Sequence, residues 1–179
     1  MIDHLIPDIP RLYSAIAEWL ACMIFILPFK KRFSKVKTGV IMAVMLVVQS
    51  GFMVVTEDVN LFFWIPCMIV AVFLMLFFIY VSCAIEITDA VYFVLIAFVV
   101  AEFMASIEWQ VACYFGIAQS GVWWKEWSAL IFGYGMISVI LFKILHVHFP
   151  DDGQMEIDWK ECLSAFLIAI SVFAVSNIS

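Results

Sequence analysis

Residues 61–81 read LFFWIPCMIVAVFLMLFFIYV, a run of 21 residues without a charged side chain. At 1.5 Å per residue, a helix of about 20 apolar residues crosses the ~30 Å hydrocarbon layer of a bilayer. The run is apolar on every side instead of alternating, and open sheets cannot cross a bilayer, which excludes a strand. This stretch therefore predicts a transmembrane helix.

The composition extends that prediction to the whole chain. Of its 179 residues, 66% are hydrophobic and 13% are charged, whereas a soluble domain is roughly 45–50% apolar and about 25% charged. Such a chain cannot cover a water-facing surface, and its length leaves no room for a separate soluble catalytic domain. The net charge of -6 disfavours a nucleic-acid partner. Five cysteines without a Cys-x-x-Cys pair disfavour a disulfide framework or a zinc site.

Apolar segments separated by short polar breaks predict an all-α membrane protein, a bundle of six transmembrane helices in a single polytopic domain, 1–179. The lipid bilayer is its first partner. The predicted helices lie at about 9–29, 38–55, 61–81, 90–111, 127–147 and 163–178.

The lysines and arginines predict the orientation. The connection 28–37 holds five of the nine basic residues. If the N-terminus is outside, Lys143 and Lys160 join this connection on the inside, and only Arg11 and Lys125 are outside. Seven basic residues against two is a positive-inside asymmetry. We therefore expect the N-terminus, and after six crossings the C-terminus, to lie outside.

Polar residues within the apolar runs are the candidate functional groups. Counted along the predicted helices, Glu18 lies about 13 Å, Glu102 about 12 Å and Gln49 about 9 Å from the outer face. Glu108 and Trp109 lie higher in the fourth helix. Because an acid at such depth costs roughly 2.5–3.5 kcal/mol on insertion scales, it is a functional candidate by default. These five residues predict a polar ligand-binding pocket that opens outward.

Other interpretations of these residues stay open. The glutamates could be protonated and could join neighbouring helices as packing groups. Since the predicted spans hold no lysine or arginine beside them, neutral carboxyls or a cationic or hydrogen-bonding ligand are favoured. Small-residue spacings at Ala129 and Gly133, and at Ala165 and Ala169, indicate close helix packing within the chain or in a homodimer.

Signatures of catalysis, cofactors and metals are missing from the sequence. It contains no nucleophile elbow, zinc-protease motif or phosphate loop, so we expect no cofactor and assign no catalytic residue. His146, His148, Asp151 and Asp152 form a weak metal pattern. We interpret them as a solvated loop, because a metal site needs three or four convergent ligands.

Segments spread over most of the chain carry a resemblance: IPDIPRLY at 6–13, AEWLAC at 17–22, WIPCM at 64–68 and AEFMASIEWQ at 101–110. They resemble the membrane half of polytopic histidine kinases of the GHKL ATPase class, similar to the accessory-gene-regulator quorum sensors of Gram-positive bacteria. The resemblance implies a sensor in the bacterial cytoplasmic membrane that detects an extracellular signal, such as a peptide or another small molecule. Glu18 and Glu102 fall within the matching segments.

The resemblance does not extend to the output half of a two-component kinase. Such a kinase continues into a helix with a phosphoacceptor histidine and then an ATP-binding domain, whereas this sequence ends at Ser179. We therefore expect an isolated sensor module, to which autokinase activity is not carried over. The alternatives are a small six-helix transport component, such as the substrate-binding subunit of a vitamin importer, and a structural membrane partner.

Overall fold

A computed structural model describes residues 9–57, 59–117, 121–146 and 157–178. Over these ranges the chain is all-helical, which confirms the predicted fold class. The helices are α1 (Arg11–Ile26), α2 (Lys35–Val55), α3 (Leu61–Ser82), α4 (Ile87–Tyr114), α5 (Trp123–His146) and α6 (Trp159–Ile178).

The helix ends differ from the predicted ones by four residues or fewer. α5 and α6 each begin four residues earlier than predicted, at Trp123 and Trp159. Their first turns contain Lys125 and Lys160, which hydropathy excludes from a span. Both lysines are nevertheless part of the helices, because a helix can continue beyond the hydrocarbon layer into water.

Among the residues that the structure describes, four helices are long and apolar enough to cross a membrane: the segments Lys35–Val55, Phe62–Ser82, Ile87–Tyr114 and Trp123–Ile144. This finding fits a multi-pass membrane protein. α1 has 16 residues and a length of about 24 Å, so it is short for a span. The prediction of six crossings with an external N-terminus stays a prediction.

The core lies between α1 and α4. α4 packs against α1, α3, α5 and α6, and α1 packs against α2, α3, α4 and α5. Alanines let the two central helices approach closely. The fully or nearly fully buried ones are Ala15, Ala17 and Ala21 in α1, and Ala90, Ala97, Ala101 and Ala105 in α4. Ala165 and Ala169 of α6 are buried as well.

The connections 27–34 and 83–86 meet at one end of the bundle, which we call the lower end. The opposite end, where α2 ends and α3 begins, is the upper end. An isolated antiparallel bridge pairs Lys31 with Cys83, and the Arg32 amide donates to the Ser82 carbonyl at 3.1 Å. The Lys31 ammonium donates to the carbonyls of Ile26, Leu27 and Phe29 at 2.5–2.8 Å. This interaction satisfies carbonyls at the C-terminus of α1, and partial burial lowers the pKa of Lys31.

Candidate functional site

Aromatic contacts fix the register of α1 against α4. The Tyr13 and Trp109 rings lie edge to face with centroids 6.0 Å apart towards the upper end. The Phe25 and Phe93 rings stack at 5.8 Å towards the lower end. Since α1 and α4 are antiparallel, these two contacts place Glu18 at the level of Glu102.

Glu18 is buried against α2. Its exposed fraction is 2%, that of Gln49 is 3%, and the Gln49 side-chain amide donates to Glu18 Oε2. The other carboxyl oxygen, Oε1, is buried without a hydrogen-bond partner among the described residues. Glu18 also lines a cavity of about 10 Å³, whereas a water molecule needs roughly 10–15 Å³. In this arrangement the cavity has room for at most one water.

Glu108 lies where α4 meets α5. It is 4% exposed, and its Oε2 is buried without a hydrogen-bond partner in the part of the chain that the structure describes. A Cβ atom built on Gly133 would lie 3.1 Å from Glu108 Cγ. The absence of a side chain at Gly133 therefore lets α5 close over the glutamate.

Tyr134 joins two of the helices that surround these acids. It is 1% exposed, and its hydroxyl donates to the Tyr13 carbonyl at 3.0 Å. This bond attaches α5 to α1.

The five residues predicted from the sequence occupy two adjoining levels. Glu18, Gln49 and Glu102 form the lower level, on α1, α2 and α4. Glu108 and Trp109 form the upper level, about two turns higher on α4. We call Glu18, Gln49, Glu102 and Glu108 the carboxyl cluster. It is closed over three of its members, because Glu18, Gln49 and Glu108 are buried, whereas Glu102 is partly exposed. A ligand larger than water therefore reaches Glu18 Oε1 or Glu108 Oε2 only if the helices move apart.

Sequence reasoning missed three polar residues of the site. Tyr13 and Tyr134 lie in apolar runs. Their hydroxyls could have indicated a polar contact between helices, because a buried tyrosine hydroxyl usually needs a hydrogen-bond partner. Ser138 has a buried hydroxyl that lacks a hydrogen-bond partner within the described ranges. The α4–α5 register set by Glu108 and Gly133 places it at about the level of Glu102.

The described residues contain no group of three or more His, Cys, Asp or Glu side chains that could hold a metal ion. The side chains of His146, His148, Asp151 and Asp152 lie outside the described part of the chain. Comparison with protein-family models, curated proteins and solved structures finds no match to this chain. The resemblance to sensor kinases therefore rests on the quoted sequence segments.

Proposed function

We propose that this chain is a membrane-embedded sensor, the input half of a bacterial two-component signalling kinase, which detects an extracellular small molecule or peptide. One observation supports this proposal most. Two buried carboxyl oxygens, Glu18 Oε1 and Glu108 Oε2, lack hydrogen-bond partners among the described residues. A buried polar group without a partner is costly, so a ligand that supplies a donor would be favoured.

The same oxygens define the chemistry of the ligand. Carboxyl groups accept hydrogen bonds, and an ionised carboxylate attracts a cation, so the proposed ligand carries an amino group or another strong N–H donor. Because the cluster is closed, the ligand binds a second packing in which α5 or α2 has moved away from α1 and α4. A ligand shifts the balance between two packings only by its difference in affinity for them. That shift would be the signal.

The proposed topology has six crossings and an external N-terminus. The positive-inside asymmetry supports it, and it places Trp64 and Trp109 towards the outer interface. Single cysteines introduced at the exposed positions Glu57 and Ser34 into a cysteine-free variant would test it. An impermeant maleimide should label the cysteine at 57 in intact cells and the one at 34 only after permeabilisation. The reverse pattern would contradict the proposed orientation.

The ligand proposal is tested with the full chain in phospholipid nanodiscs and a panel of short synthetic peptides with free amino groups. Peptides that bind should raise the midpoint of thermal unfolding in a concentration-dependent manner. Glu18→Gln and Glu102→Gln should weaken this response and leave membrane insertion intact. Glu57→Gln, in the exposed connection between α2 and α3, is the control. Unchanged concentration curves in both cluster variants, or no shift with any peptide, would contradict the proposal.

A structural role is the second candidate, and the bond from Gln49 to Glu18 specifically favours it. Interhelical hydrogen bonds of this kind hold transmembrane helices together. In that case Glu18→Ala, which removes the acceptor, would lower the unfolding midpoint, whereas the two glutamine variants would leave any peptide response unchanged. The same experiment therefore separates the two roles.

A further inference from the structure

An apolar cleft of about 360 Å³ lies between α3, α4 and α6, away from the carboxyl cluster. Its volume is within the range of roughly 300–1,000 Å³ that is typical of ligand sites. Every lining side chain is apolar. They include Ile69 and Val72 of α3, Val94 and Phe98 of α4, and Ala169 and Ile170 of α6.

The cleft exists because of how α6 is placed. Within the described ranges α6 packs against α4 alone, whereas α3 packs against α1, α2 and α4. α3 and α6 therefore form two walls with α4 between them. In a bilayer the molecules next to such walls are lipids. An empty cleft would lose the dispersion contacts that its walls make when the cleft is filled.

The cleft is about as long as one lipid chain and lies in the middle of α3. Along α3 it extends from Ile65 to Leu76, about 16 Å at 1.5 Å per residue. Its lower rim is about 9 Å from Ser82, where α3 ends, so a lipid with its head group at that end reaches the cleft with the distal part of its acyl chain.

A cation lies just beyond the lower end of the cleft. Tyr80 follows Leu76 by four residues, on the same face of α3, and the Arg32 guanidinium lies 4.7 Å from the centre of the Tyr80 ring. The bond from the Arg32 amide to the Ser82 carbonyl holds its backbone at the end of α3. The Arg32 side chain is exposed, and a guanidinium fork matches the geometry of a phosphate.

We propose that this cleft binds one acyl chain of an anionic phospholipid, with the lipid phosphate on Arg32. The apolar walls hold the hydrocarbon, and Arg32 determines which end of the cleft holds the head group. The inference does not depend on the sensor proposal, because it uses no residue of the carboxyl cluster.

Native mass spectrometry of the detergent-purified full chain tests the proposal, with phosphatidylglycerol and phosphatidylcholine of identical acyl chains as probes. The unaltered protein should retain one lipid and prefer phosphatidylglycerol. Ile170→Trp, which fills the cleft, should lower the retained lipid about tenfold, because the displaced methylenes lose their contacts.

Ile168→Trp is the matched control, two residues away on the same helix. Ile168 and Ile170 are 54% and 48% exposed, and only Ile170 lines the cleft. Equal lipid retention in the two variants would overturn the proposal. If Ile170→Trp does not fold, Ile69→Trp replaces it, with Val70→Trp as its control, because Ile69 lines the cleft and Val70 does not.

Two charge variants test the position of the head group. Arg32→Gln should abolish the preference for phosphatidylglycerol, whereas Lys35→Gln, an equal loss of charge nearby, should keep it. A preference that both variants lose equally would overturn the assignment of the phosphate to Arg32. A dimer that Ile170→Trp alone disrupts, with lipid retention unchanged, would show that a second copy of the chain covers the cleft and would also overturn the proposal.

Discussion

The two halves of α4 differ in how their surroundings are filled. In the upper half, residues 102–109, Glu108 is buried against α5 and Glu102 is partly exposed, and the cavity that Glu18 lines is only about 10 Å³. In the lower half, residues 91–98, four side chains line a wholly apolar cleft of about 360 Å³. Lipid can fill an apolar gap, whereas polar groups at this depth must be enclosed by protein. The comparison shows that the protein itself must supply the contacts around the carboxyl groups, whereas lipid can supply those in the apolar cleft.

The largest expected effect is at the contact that closes the upper half. Gly133→Leu would drive a side chain into Glu108, since even a Cβ atom would lie 3.1 Å from Glu108 Cγ. We expect a loss of about 3 kcal/mol in the free energy of unfolding, measured by SDS denaturation in micelles. Gly135→Leu is the control, because a Cβ atom there meets nothing within 4 Å. Equal effects of the two variants would show that α5 does not seal the cluster.

Glu18→Ala should have the next largest effect. It leaves the buried Gln49 amide without its acceptor, which costs about 2 kcal/mol. Glu18→Gln keeps an oxygen acceptor at the same place, so its free energy of unfolding should stay within about 0.5 kcal/mol of the original. The same denaturation series checks both values. If the alanine and glutamine variants were equally stable, the bond between α1 and α2 would not contribute.

Tyr134→Phe should have a smaller effect. It removes the hydroxyl that donates to the Tyr13 carbonyl, and we expect a loss of about 1 kcal/mol. Tyr114→Phe is the control, because Tyr114 is 85% exposed and its hydroxyl should contribute little. Equal unfolding curves for Tyr134→Phe and the original protein would contradict the role of this bond in holding α5.

The smallest effect should come from the lower half. Ile170→Ala widens the cleft, and lipid can enter the added space, so the free energy of unfolding should change by less than about 0.5 kcal/mol. A buried isoleucine in a protein core would lose roughly 2–5 kcal/mol on the same truncation. A loss of that larger size in vesicles of native-like lipid would mean that protein, not lipid, fills the cleft.

Counting residues along the apolar runs predicted which polar residues share a level. It placed Glu18 and Glu102 at one depth, and the register of α1 against α4 puts them at the same level, whereas their binding of a ligand stays a prediction. It also brought Gln49 into the same group. It did not predict that Gly133 would cover Glu108, or that Tyr134 would bond to Tyr13. These contacts depend on the rotation of α5 about its own axis, which depth along a helix does not specify.

The sequence alone determined the class of the protein and its helices. Hydropathy summed over about 20 residues needs no tertiary partner, because the bilayer itself is the apolar surrounding. Only the tertiary structure decided which helix faces meet, where carboxyl oxygens are left without partners and where the cleft opens. In lipid, the outer face of a helix is as apolar as its buried face, so the pattern of hydrophobic residues does not distinguish the two. Shape complementarity between helices therefore determines which faces are in contact, and it depends on side chains that are distant in the sequence.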